Sequence, residues 1–144
     1  MKRFLFTLIF AAAAVAVSAA PQKVAFDKLP RNSQEFVQKN FPNETVKAVE
    51  MDRDSSWDKY TVYFNSGNRI SFSGGSGDWA EIVMESGQVP YGAIPSKLKS
   101  YVGSKYSNQK IVMLKTTADG YDAKLSNGTV LSFDKDGDFV KAAK

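Results

Sequence analysis

The sequence predicts an α+β fold: two αβ4 repeats form one antiparallel sheet, and two helices pack on one of its faces. Three observations carry that reading. Beyond about residue 20 the chain repeats itself: at a shift of 65 positions Leu29-Pro30 falls on Ile94-Pro95, Phe36-Val37 on Tyr101-Val102, and Phe41 on Tyr106. At a shift of 61, Tyr60, Val62, Phe64, Gly67, Ile70 and Phe72 fall on Tyr121, Ala123, Leu125, Gly128, Leu131 and Phe133; at 60, Gly77-Asp78-Trp79 falls on Gly137-Asp138-Phe139. Within each copy, helical spacing of apolar residues gives way to strict alternation. The repeats span about 26–88 and 91–144, and the shift changes only near 52–58 and 73–76, where turns absorb insertions.

The chain begins with a segment that belongs to export rather than to the fold. Lys2 and Arg3 precede an uncharged run from Phe4 to Val17, and Val17-Ser18-Ala19-Ala20 supplies small residues for cleavage, so residues 1–19 read as a signal peptide. A membrane-spanning helix would need about 20 apolar residues, and this run is shorter and leads into Pro21. Cleavage after Ala19 leaves residues 20–144 as a single domain with no membrane span, located in the periplasm or secreted. With no cysteine in the chain, there is no lipid-anchor site and no disulfide.

Each repeat opens with a helix and continues in strands. Pro30 and Pro95 suit a first helical turn, where a missing N–H costs nothing. Phe36, Val37 and Phe41, and Leu98, Tyr101, Val102 and Tyr106, then recur at helical spacings. Phe41-Pro42-Asn43 and Tyr106-Ser107-Asn108 end the helices, since a residue before proline leaves the helical region and Asn favours turns. Strands follow over about 45–51 and 110–117. Next come hairpins in which Tyr60, Val62 and Phe64 face the core with Ile70 and Phe72, and Tyr121, Ala123 and Leu125 with Leu131 and Phe133. Asn127-Gly128 suggests a type I′ turn. Final strands are expected at about 78–84 and 138–142. Residues 89–93 form a linker too tight for independent domains.

Composition excludes much chemistry. The chain has 144 residues, no histidine and no cysteine, which removes His-based triads, thiol nucleophiles and ordinary zinc sites. Loss of Lys2 and Arg3 lowers the net charge from +4 to +2, and the remaining basic residues are interspersed with acids, so nucleic acid is not an expected partner. Ser96-x-x-Lys99 matches one motif of acyl-transfer enzymes, but its companion motifs are missing, so a solvated first turn is expected there. Asp134-Lys135-Asp136-Gly137-Asp138 starts like a calcium loop, yet Phe139 stands where the loop needs glycine and the twelfth position lies beyond Lys144. A polar β-turn is expected, with no metal site, cofactor or catalytic residue. An envelope hydrolase using a carboxylate pair is the alternative class, although no spacing singles out such a pair.

The helices are expected to cover one sheet face and leave the other to solvent. Tyr63 falls opposite the core positions of its strand, on the side of Arg69; Trp57 lies in the inserted stretch and Tyr91 in the linker. Trp, Tyr and Arg are the residue types that anchor interfaces. Trp57, Tyr63, Arg69 and Tyr91 are therefore the candidate contacts to a protein or peptide of the cell envelope, made by a monomer.

The pattern as a whole resembles a known family. Leu29-Pro30, the close Phe41-Pro42-Asn43, Tyr60-x-Val62-x-Phe64-x-x-Gly67, Gly77-Asp78-Trp79, Ile94-Pro95 and the closing run Asp134 to Phe139 are similar to the β-lactamase-inhibitor-like, PepSY-like family of exported bacterial proteins. The likeness extends over about 26–140; Ser73-Gly74-Gly75-Ser76 replaces the more usual acidic turn. It implies this fold and an envelope location.

Overall fold

The computed structural model describes residues 20–54 and 57–144, so the expected signal peptide at 1–19 lies outside the described residues. The strands are β1 (Gln22–Val24), β2 (Val46–Asp54), β3 (Trp57–Phe64), β4 (Arg69–Ser73), β5 (Trp79–Val83), β6 (Ile111–Thr116), β7 (Gly120–Leu125), β8 (Val130–Asp134) and β9 (Phe139–Ala143). Helix α1 (Arg31–Asn40) precedes β2, and α2 (Ser96–Lys105) precedes β6. Every strand pairs antiparallel with its sequence neighbours, giving one sheet in the order β1 to β9. The expected two αβ4 units are present, with one addition: β1, three residues long, extends the first repeat's edge by pairing with residues 49–51 of β2.

The helices form where the sequence places them. Pro30 and Pro95 sit just before the first helical residue, and their carbonyls accept the first intrahelical bonds, from Gln34 N at 3.1 Å and Lys99 N at 3.1 Å. Phe41 N and Tyr106 N close the last turns on Val37 O and Val102 O, each at 2.8 Å. The helices rest on one face of the sheet through Val37, Leu98 and Val102, which join Val62, Phe64, Ile70, Phe72, Ile82, Leu114, Leu125, Leu131 and Phe133 in a continuous buried core. Burying side chains of this size stabilises by about 1.5–3 kcal/mol each. Phe36 meets Phe72 edge-on with centroids 5.8 Å apart, and Tyr101 meets Phe133 in the same way at 5.6 Å, so the repeat extends to its aromatic packing.

The turns differ from the type I′ expectation. Gly128 N donates to Leu125 O at 2.9 Å and Leu125 N to Thr129 O at 2.8 Å; φ is +91° at Gly128, and no non-glycine residue among those described has positive φ. This is a three-residue loop with a glycine bulge. Phe64 to Asn68 repeats it, with Gly67 also at +91°. Only the glycine needs the left-handed region, and Asn127 instead accepts from Thr129 N at 3.0 Å.

Candidate functional site

The face opposite the helices is open, and its cross-strand register sorts it into two rows. One is polar and crosses all nine strands: Lys23, Glu50, Thr61, Ser71, Glu81, Lys115, Asp122, Ser132 and Lys141. Thr61 and Ser71 share a hydrogen bond at 3.3 Å, and Ser132 Oγ donates to Asp122 Oδ1 at 2.8 Å. Glu50 and Glu81 of the first repeat become Lys115 and Lys141 in the second. Glu81 and Lys115 are thereby cross-strand neighbours at the β5–β6 junction, where opposite charges favour pairing.

The neighbouring row is mostly apolar: Ala48, Tyr63, Arg69, Val83, Met113, Lys124, Val130 and Ala143. Tyr63, Val83, Met113 and Val130 are each half-buried by their neighbours, with no helix above them. Matching bulges at Lys47 in β2 and Val112 in β6 bring Ala48 and Met113 into this row. Arg69 reaches diagonally to Glu81 in the polar row, Nη2 to Oε1 at 3.7 Å. Burial raises the Tyr63 phenol above its ordinary pKa; the Glu50 carboxylate adds to the rise by charge and hydrogen bonding, and Arg69 opposes it.

The structure divides the four candidate residues. Tyr63 and Arg69 are cross-strand partners, as expected from their shared parity. The backbone of Trp57 starts β3 opposite Asp54, and its side chain lies outside the described residues. Tyr91 does not join them. It opens a short 3-10 turn (Tyr91–Ala93) before α2 and, 64% exposed, lines a small cavity with Val102 and Tyr106 on the helical side. Its repeat counterpart is Phe26, which opens the same kind of turn before α1, so the linker is the second repeat's entry turn. Val83, Met113 and Val130 were not among the candidates, although each adjoins a core residue and so breaks the apolar-polar alternation.

The acidic turn of the second repeat is a hydrogen-bonded turn. Asp134 Oδ1 accepts from the amides of Asp136 and Asp138 at 3.0 and 2.9 Å, while Asp138 Oδ1 holds Lys97 Nζ at 2.9 Å. The hydrogen bond and charge of Asp138 hold the Lys97 ammonium above its ordinary pKa. One oxygen from each of the Asp134, Asp136 and Asp138 carboxylates lies within 4.8 Å of the others. Ser96 and Lys99 are both exposed in the first turn of α2, as expected for a solvated turn.

Solved structures share this architecture. A putative periplasmic protein from Bacteroides vulgatus ATCC 8482 superimposes with a TM-score of 0.83 at 26% identity, over 88% of this chain and 99% of its own. A putative calcium-regulated periplasmic protein from Bacteroides thetaiotaomicron gives 0.82 at 27% identity, over 86% and 97%. A second B. vulgatus protein, described as a putative periplasmic protein of unknown function, gives 0.79 at 27% identity, over 87% and 100%. No curated protein matches the sequence. Among the described residues no helix is long and apolar enough to cross a membrane. The family profile described as "Putative beta-lactamase-inhibitor-like, PepSY-like" matches residues 15–57 and 58–141, and with most of its length so matched the chain belongs to that family.

Proposed function

We propose that this protein is an exported, non-enzymatic, inhibitor-like module that holds a protein or peptide of the cell envelope on the open face of its sheet. The row Tyr63, Arg69, Val83, Met113 and Val130 carries the reading. On an antiparallel sheet with one solvated face, the exposed positions are ordinarily polar. Here an apolar band rich in Tyr, Met and Arg runs beside a charged row, the composition of an interface centre with its rim. The family's inhibitor-like description and the periplasmic descriptions of the structural neighbours support the same reading. Trp57 stays in the proposed contact set by its place in β3; Tyr91, on the helical side, falls outside it. The calcium in one neighbour's description is said of that protein; here the acidic turn is read as a turn held by its own amides and by Lys97.

The test is a capture from envelope extract, followed by calorimetry with the purified partner. Tyr63→Ala and Trp57→Ala are each expected to weaken binding by about 1–3 kcal/mol, the range of interface anchors, with the unfolding midpoint nearly unchanged. Tyr91→Ala serves as the helical-side control. Unaltered affinity in the Tyr63→Ala, Trp57→Ala double variant, with loss on changing the helix surfaces, would move the interface to the helical layer. A hydrolase substrate panel run alongside exposes an enzyme instead. Export has its own measurement: the intact mass of the envelope-fraction protein is expected to begin at Ala20, and a mass retaining residues 1–19 contradicts it.

A further inference from the structure

The two repeats carry equivalent clefts on the helical side, and among the described residues a cation pairs with the carboxylate of only one of them. In the second repeat the cleft lies between α2 and the turn before β9. Tyr101 and Phe139 wall it, stacked at 4.5 Å, and Lys97 lines it with Nζ 2.9 Å from Asp138 Oδ1. In the first repeat, Asn32 stands at the position of Lys97, Phe36 at Tyr101, Asp78 at Asp138 and Trp79 at Phe139. The aromatic walls and the carboxylate are kept, and the ammonium is gone. Asn32 Nδ2 donates to Ser76 O at 2.8 Å, and the adjacent Arg31 is tied to Glu35 at 3.1 Å, so Asp78 has no ion-pair partner among the described residues.

The rings also part. Trp79 packs on Tyr121 of the second repeat, centroids 6.2 Å apart, where its counterpart Phe139 stacks on the helix aromatic. A cleft of about 510 Å³, close to the 480 Å³ of its counterpart, is walled here by Phe36, Trp79, Tyr121 and Pro95, with Asp78 on its lining. Aromatic faces attract cations through their negative quadrupole, and a carboxylate adds a fixed counter-charge. A small inorganic cation, strongly hydrated, gains little from such walls. A lysine or arginine side chain brings an apolar stem to the rings and a charged head to Asp78.

We propose that this cleft receives a lysine or arginine side chain of a polypeptide partner, in the place that Lys97 takes within the second repeat. The site is on the opposite side of the sheet from the Tyr63 row, so it stands or falls separately from the open-face reading. Nα-acetyl-lysine N-methylamide, its arginine counterpart and the neutral norleucine counterpart are titrated against the protein, following the Trp79 indole N–H by NMR. Both basic probes are expected to bind saturably, and the norleucine probe about five-fold more weakly or worse. Asp78→Asn brings the lysine probe down to the norleucine level. Asn32→Lys pairs Asp78 with the chain's own ammonium, as Lys97 pairs Asp138, and brings the lysine probe down to the norleucine level; thermal midpoints of both variants establish that they are folded. Equal binding of the lysine and norleucine probes, unaltered affinity in folded Asp78→Asn, or no saturable binding of any probe overturns the proposal.

Discussion

Changing Phe72 or Phe133 to Ala is expected to lower the unfolding free energy by about 3–5 kcal/mol in each case, through lost transfer energy plus the cavity left behind. Both rings are buried, at 0% and 3% exposure, and each is the surface on which a helix aromatic rests edge-on. Removing either leaves a void under α1 or α2 that the sheet, pinned by pairing on both sides, closes poorly. For a domain whose total stability is about 5–15 kcal/mol, that is a large fraction. Arg69→Ala, on the open face with its half-exposed ion pair to Glu81, is expected to cost less than about 1 kcal/mol. Urea midpoints for the three variants check the assignment of faces; equal small shifts would refute it.

Gly120→Ala is expected to destabilise by about 3 kcal/mol, for a backbone reason. Gly120 is buried at the start of β7 opposite Asp134, and a Cβ there would lie 2.5 Å from the Asp134 carbonyl carbon and overlap the Phe133 carbonyl oxygen. These are backbone atoms of β8, held in the ladder, so no rotamer change relieves the overlap. Gly103 is the opposite case: it lies within α2, exposed, with open space where a methyl group would stand. Gly103→Ala is expected to stabilise by about 0.5–1 kcal/mol, the helix-propensity difference. Thermal or urea unfolding of the pair gives shifts of opposite sign, and a tolerated Gly120→Ala would show that β7 and β8 are further apart than their ladder places them.

The parity of Val62, Phe64, Ile70 and Phe72, and of Ala123, Leu125, Leu131 and Phe133, is legible in the sequence because alternation records directly which side of a sheet is dry. The helices are legible from spacing and their prolines. β1 is not, since three residues are too few to show a period. The turn type escapes the sequence because Asn-Gly serves two turn geometries that differ in the φ of the Asn, and the strands on either side decide between them. The apolar band is hidden for another reason: Tyr63, Val83, Met113 and Val130 come from four strands, and their alignment depends on register and on the bulges at Lys47 and Val112. The parting of Trp79 from Phe36 is hidden in the same way, since it depends on where Tyr121 of the other repeat falls.

The strand order has a consequence for how the chain reaches this state. Because β1 to β9 pair strictly with their sequence neighbours, six of the eight pairings close over short loops, and only β1–β2 and β5–β6 close over a connection that carries a helix. The hairpin pairings are local contacts, the kind that form early because they close little chain. A chain delivered end-first can zip its first four or five strands under α1 before the second repeat arrives. The growing edge at β5 then offers the template on which β6 docks, with Glu81 set to meet Lys115.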